Sequence, residues 1–320
     1  MSKKIDISFE DEESLSTHLK RRKTRPQVKK PVVKQSYEAN ADVQRWLNTQ
    51  TIDQKDLTKP PFAPTFLAGQ RDASWILSSL SSFYEQDLIT DVLHVVKSGK
   101  EATVYCCLAD PLTGLEYAAA KVYRPRMFRS LRNDAVYRQG RTQRDVEGHV
   151  VRNSSHHQAA FKSQRGRAMQ VSSWIEYEFQ TQLHLFAAGA NIPRPLAQVG
   201  NSVLMEYIGT VGEPAPLLQN VILDHEEAPA LLASILNDME LFLAHNRIHG
   251  DLSAYNIVYW EGEVKIIDFA QAVDPTQSEG TFPIFLRDVE RVASYFAQYN
   301  LVIDALAVAT EIWTRQQGAF

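Results

Sequence analysis

Three residues in one stretch of this chain, Asp251, Asn256 and Asp268, have the types and the spacing that phosphate chemistry uses. The stretch, residues 247–274, reads Arg-Ile-His-Gly-Asp-Leu-Ser-Ala-Tyr-Asn-Ile-Val-Tyr-Trp and then Glu-Gly-Glu-Val-Lys-Ile-Ile-Asp-Phe-Ala-Gln-Ala-Val-Asp. Two short apolar runs, 257–260 and 264–267, flank a Glu-Gly turn before Asp268. Apolar runs joined by such a turn read as a hairpin. The pattern therefore predicts Asp251 on a loop, Asn256 on a hairpin strand and Asp268 on the turn that follows. That arrangement gathers one carboxylate to orient an acceptor and two hard oxygen ligands suited to Mg²⁺. Transfer of a γ-phosphoryl group needs positioning and charge neutralisation more than covalent chemistry. Taken singly, each residue is equally well a surface turn or a strand cap; the ordered set points to chemistry.

The stretch resembles the catalytic and metal-binding loops of the protein-kinase-like superfamily, and its wording, Leu-Ser-Ala-Tyr-Asn with Ile-Asp-Phe-Ala-Gln, resembles the RIO kinases. The resemblance implies an α+β, bilobal protein-kinase-like fold. Its N-lobe would be an antiparallel sheet plus a regulatory helix, and its C-lobe reduced and mainly helical. It also implies ATP as phosphoryl donor, Asp251 as the catalytic carboxylate, and Mg²⁺, with Mn²⁺ as an alternative, held by Asn256 and Asp268.

The elements that must position these groups read as follows. Residues 92–96, 103–108 and 117–123 alternate as three antiparallel strands joined by polar turns. Side chains alternate along a strand, so Tyr117, Ala119, Lys121 and Tyr123 share a face and Lys121 points under the sheet. An unpaired ammonium there is costly; an anionic phosphate and a carboxylate partner would account for it. The turn Ser98-Gly99-Lys100-Glu101-Ala102 has a single glycine, a weak signal alone, but with Thr-Val-Tyr after it the segment resembles the RIO phosphate loop. By that resemblance Ser98, Gly99, Lys100, Glu101 and Val104 contact the nucleotide. Ser173-Trp174-Ile175-Glu176 reads as a capping box opening a helix over 172–188. The resemblance makes Glu178 on that helix the partner that holds Lys121 on the phosphates. A hairpin about Gly200-Asn201 leads to Met205, Glu206 and Ile208, which the resemblance places at the hinge that would grip adenine. Apolar spacing predicts further helices over 73–84, 231–243, 285–296 and 303–313, the second of them leading to His249 in the loop.

Composition sets the bounds. The chain has 320 residues, 44 % hydrophobic and 22 % charged, with a formal net charge of −4, enough for two lobes. Cys106 and Cys107 are adjacent on a strand and offer neither a disulfide framework nor a metal cluster, which fits a reducing compartment. No apolar run reaches membrane-spanning length, and acids at 10–13 are unlike a targeting peptide, so the expected place is the cytoplasm with no membrane contact. Residues 1–68 read as a largely disordered charged arm whose 20–34 segment is basic without an acid. The N-lobe is expected over 69–209 and the C-lobe over 210–320. Within the first, the insert 124–170 sets eleven basic side chains against three acidic ones. The two basic stretches suit RNA or a ribosomal particle, or are simply solvated. His149, His156 and His157 lack metal-site spacing.

Two departures from the common His-Arg-Asp-Leu-Lys-Pro-Glu-Asn loop bear on rate. Position 250 is Gly, so control through a phosphorylated activation segment is not expected. Position 253 is Ser, so a positive charge on the migrating phosphoryl is missing and turnover is expected to be slow. Only 53 residues run from Asp268 to the last position, which leaves no room for the usual peptide-docking helices. The reading is therefore a RIO-type serine/threonine kinase acting on itself or a bound protein, or an ATPase. The alternatives are a small-molecule phosphotransferase of the aminoglycoside or choline kinase type and a nucleotide-responsive, non-catalytic assembly factor.

Overall fold

The structure, a computed structural model, describes residues 59–67, 73–99, 101–124, 164–277 and 280–318. These lie in one compact unit, 35–320. Expectations for the arm up to residue 58, for Lys100, for the insert over 125–163 with its histidines and for the Trp75 side chain fall outside the described residues.

Helix α1 (Ala73–Glu85) precedes a meander of β1 (Ile89–Ser98), β2 (Ala102–Ala109) and β3 (Tyr117–Tyr123). The hairpin of β4 (Pro195–Val199) and β5 (Ser202–Glu206) joins through β5, so the antiparallel order is β1-β2-β3-β5-β4. Alternation divides β3 as its sequence demands. Ala118, Ala120 and Val122 pack with Leu80 and Phe83 of α1, each of which gains roughly 1.5–3 kcal/mol by burial. Ala119, Lys121 and Tyr123 face the other way, into the cleft. Cys107 goes to the α1 side and Cys106 to the opposite one, both as buried free thiols; burial pushes Cys106 up to about 11 and Cys107 higher still. The last residues assigned to the arm are folded onto this lobe: Phe62 stacks on Tyr84 with centroids 4.7 Å apart, and Phe66 packs against the same core.

Helix α2 (Gln164–Ala187) starts eight residues before the expected 172. Ser173 is therefore inside the helix and caps nothing. Gln164, Arg165, Arg167, Ala168 and Met169 are good helix formers, and continuous propensity overrides an internal capping pattern. After the short ribbon β6 (Gly209–Thr210) and β7 (Glu213–Pro214), α3 (Ala228–Ala244) runs through the second core with Leu231, Leu232, Ile235, Met239, Phe242 and Leu243 buried. The hairpin of β8 (Ile257–Trp260) and β9 (Glu263–Ile266) follows the catalytic-type loop. Asn256 is not on the strand but ends the 3₁₀ turn Ala254–Asn256 just before it. The chain then forms α4 (Phe282–Phe296) and α5 (Ala305–Gln317). The start of α5 lies beyond the expected residue 303 because Asp304 caps it, accepting from the Ala307 N–H at 3.0 Å. Among the described residues no helix is long and apolar enough to cross a membrane.

Candidate phosphoryl-transfer site

Lys121 sits in the middle of β3, opposite Val104 on β2 and Val203 on β5. Its ammonium lies 2.8 Å from Glu178 Oε1 and 2.8 Å from Asp268 Oδ1. The two carboxylates differ in setting: the Glu178 side chain is 1 % exposed and that of Asp268 is 45 % exposed. Tyr123, two residues along the same strand face, donates its hydroxyl to Glu178 Oε2. Glu178 is thus held from two sides by one strand, which fixes the rotation of α2. Burial works against the charge on Lys121, but Asp268 and Glu178 together outweigh it and hold its pKa well above the ordinary value. The neighbouring ammonium lowers the pKa of Asp268, whereas burial raises that of Glu178.

The loop carrying Asp251 is built by backbone hydrogen bonds. His249 is buried, and burial lowers its pKa. Because a carbonyl can only accept, its Nε2 donates to Ile267 O (3.1 Å), leaving Nδ1 to accept from the Asp251 N–H (3.3 Å). The neutral ring therefore brackets the loop against the residue before Asp268. Gly250 has φ +80°, and a Cβ there would lie 2.3 Å from Gln271 O. Only glycine fits that close approach. Asp288, fully buried on α4, accepts from the N–H groups of Gly250 (2.7 Å) and Leu252 (3.2 Å), and desolvation pushes its pKa up to about 7. Asp268 adopts φ +71°, ψ +70°, a left-handed conformation uncommon outside glycine. Such outliers cluster where surrounding structure holds them for function.

The β-sheet, the hinge and the hairpin enclose a cavity of about 470 Å³. Of the residues picked from sequence, Gly99, Glu101, Val104, Lys121, Glu178, Met205, Glu206, Ile208, Asn256 and Asp268 line it. Two do not. Ser98 stands at the end of β1 with its hydroxyl accepting from Arg124 Nη2 at 2.6 Å. Asp251 lies outside the wall, with the Asn256 amide donating to its backbone carbonyl at 2.9 Å. Sequence reading missed Tyr123 as a partner of Glu178, Asp288 as the anchor of the loop, and Arg291, whose Nη1 is 2.7 Å from Asp251 Oδ1. The spacing Arg287-Asp288-Arg291 on one helix face was the available signal, hidden because the apolar stripe alone explained α4.

The RIO domain family profile matches residues 116–307. The RIO-type serine/threonine-protein kinase Rio1 of Methanocaldococcus jannaschii is 30 % identical over 221 residues, covering 69 % of this chain and 68 % of the relative. The serine/threonine-protein kinase RIO1 of Caenorhabditis elegans is 26 % identical over 233 residues, which are 68 % of this chain but 42 % of that relative. The crystal structure of the Rio2 kinase–ADP/Mg²⁺–phosphoaspartate complex from Chaetomium thermophilum is 18 % identical with a TM-score of 0.49, covering 74 % of this chain and 66 % of that one.

Proposed function

The chain belongs to the RIO family, and on that premise we propose that it moves the γ-phosphoryl group of ATP to a hydroxyl of a protein, itself included, or to water, as a slow atypical serine/threonine kinase and ATPase. The observation that carries this is Lys121 between two carboxylates, one buried and one exposed, at the wall of the cavity. Glu178 keeps the ammonium in place, while the exposed Asp268 is the partner that α- and β-phosphates can displace. Adenine is gripped at the hinge beside Met205. The Glu206 N–H already donates to Arg194 O and the Ile208 carbonyl already accepts from the Ala215 N–H, so the Glu206 carbonyl and the Ile208 N–H are the groups assigned to the base.

The donor set of Asn256 and Asp268 fits Mg²⁺. It offers hard oxygens from one amide and one carboxylate, and among the described residues no cluster of three His, Cys, Asp or Glu forms a larger protein cage. Bound there, the ion supplies charge neutralisation on the phosphate oxygens. Asp251 orients the acceptor hydroxyl and receives its proton as the acceptor oxygen bonds to the γ-phosphorus and the bond to ADP breaks. Gly99, Lys100, Glu101 and Val104 are assigned to the cover over the nucleotide, with Ser98 at its edge. A cytoplasmic setting, and RNA or a ribosomal particle met through 20–34 and 124–170, are proposed from composition and charge alone.

Mg²⁺-ATP turnover, with ADP and phosphoprotein counted separately, tests the reading. Wild type is expected to turn over while Asp251→Ala and Asp268→Ala are silent, and the ADP-to-phosphoprotein ratio separates ATPase from kinase. ATP binding without turnover, equal in all three proteins, would replace the enzyme with a nucleotide-gated scaffold.

A further inference from the structure

The serine at position 253 leaves the loop without a cation next to Asp251, yet the structure has one there from a different element. Arg291 projects from α4 and places Nη1 2.7 Å from Asp251 Oδ1, while the other carboxylate oxygen lies 3.5 Å from the Asn256 amide nitrogen. The same face of α4 holds the loop at two further points. Arg287, one turn earlier, donates to the Gly250 carbonyl, and Asp288 accepts from the Gly250 and Leu252 N–H groups. Residues four apart on a helix lie one above the other, so Arg287 and Arg291 form a single row against the loop.

Resting on the phosphoryl-transfer reading, we infer that Arg291 is the positioning residue for Asp251 and supplies, from α4, the positive charge that Ser253 does not. Arg291 holds Oδ1 at 2.7 Å and the Asn256 amide stands 3.5 Å from Oδ2, a much weaker second contact, so it is chiefly Arg291 that orients the carboxylate. The side chains of Arg291 and Asp251 are 40 % and 52 % exposed, so the pair is open to an incoming acceptor and contributes little to folding. Its value is orientation, and misplacing a catalytic group by about 1 Å loses on the order of 100-fold in rate.

The test measures kcat and the KM for ATP in Arg291→Ala, Arg291→Lys and the double variant Ser253→Lys/Arg291→Ala, with thermal melting as a fold check. Arg291→Ala is expected to lower kcat about 10- to 100-fold with the KM for ATP within about twofold and melting shifted by no more than a few degrees. Arg291→Lys should keep more of the rate, and Ser253→Lys should restore most of it by bringing the charge back from the loop side. An unchanged or faster Arg291→Ala overturns the inference, as does a loss that neither lysine repairs. A wild type without turnover instead removes the phosphoryl-transfer reading beneath it, and the two failures are distinct.

Discussion

The two ends of the site are built on opposite terms. At the nucleotide end, Lys121, Glu178 and Tyr123 form a network in which Glu178 and Tyr123 are each about 1 % exposed, fixed between a central strand and a helix. At the end proposed for the acceptor, Asp251 and Arg291 are both about half in solvent, and what is buried is the scaffolding behind them, His249 and Asp288. Charges in a desolvated network interact strongly and must all be satisfied; charges at an open mouth contribute less to stability and serve orientation. On the proposed reading, a site divided this way would hold one invariant ligand tightly and leave the acceptor undefined by shape.

The largest expected effect breaks the buried end. Glu178→Ala leaves the Tyr123 hydroxyl without its buried acceptor and the Lys121 ammonium with Asp268 alone, and removing one partner of a buried pair costs up to about 3–5 kcal/mol. Urea denaturation should show the midpoint falling accordingly, whereas Arg291→Ala at the open end should lose ~1 kcal/mol or less. Equal losses would erase the contrast. A second effect concerns the scaffolding. Desolvation raises Asp288 to about 7 in the folded protein against an ordinary 3.8, so the folded state binds its proton more tightly than the unfolded chain does. Its contribution is complete below about pH 4 and is lost as pH rises through about 7, at no more than ~1.4 kcal/mol per pH unit. Melting temperature followed over that window should fall as pH rises in wild type and fall less in Asp288→Asn.

The buried end was legible in the sequence because alternation on β3 forces Lys121 under the sheet, where it requires a partner. The partner's identity came from resemblance, and the structure adds Asp268 and Tyr123. The open end was legible only in its loop. Asp251, Asn256 and Asp268 are near one another along the chain, but Arg291 reaches Asp251 across 40 positions, and the charged face of α4 signals a polar contact without naming its partner. The start of α2 was misplaced for a related reason: a capping box is permissive, and helix formers on its N-terminal side extended the helix through it. Gly250 was read as the loss of an arginine, whereas the close approach of Gln271 O gives the glycine a steric necessity of its own.

The division of labour is tested most directly by measuring ATP affinity by calorimetry alongside Mg²⁺-ATP turnover in Lys121→Met and Asp251→Asn. Lys121→Met should weaken ATP binding and abolish turnover together. Asp251→Asn should bind ATP within about twofold of wild type while losing roughly 10²- to 10⁴-fold in turnover. ATP bound normally by Lys121→Met, or weakened equally in both variants, would contradict the assignment of one end to the nucleotide and the other to the acceptor.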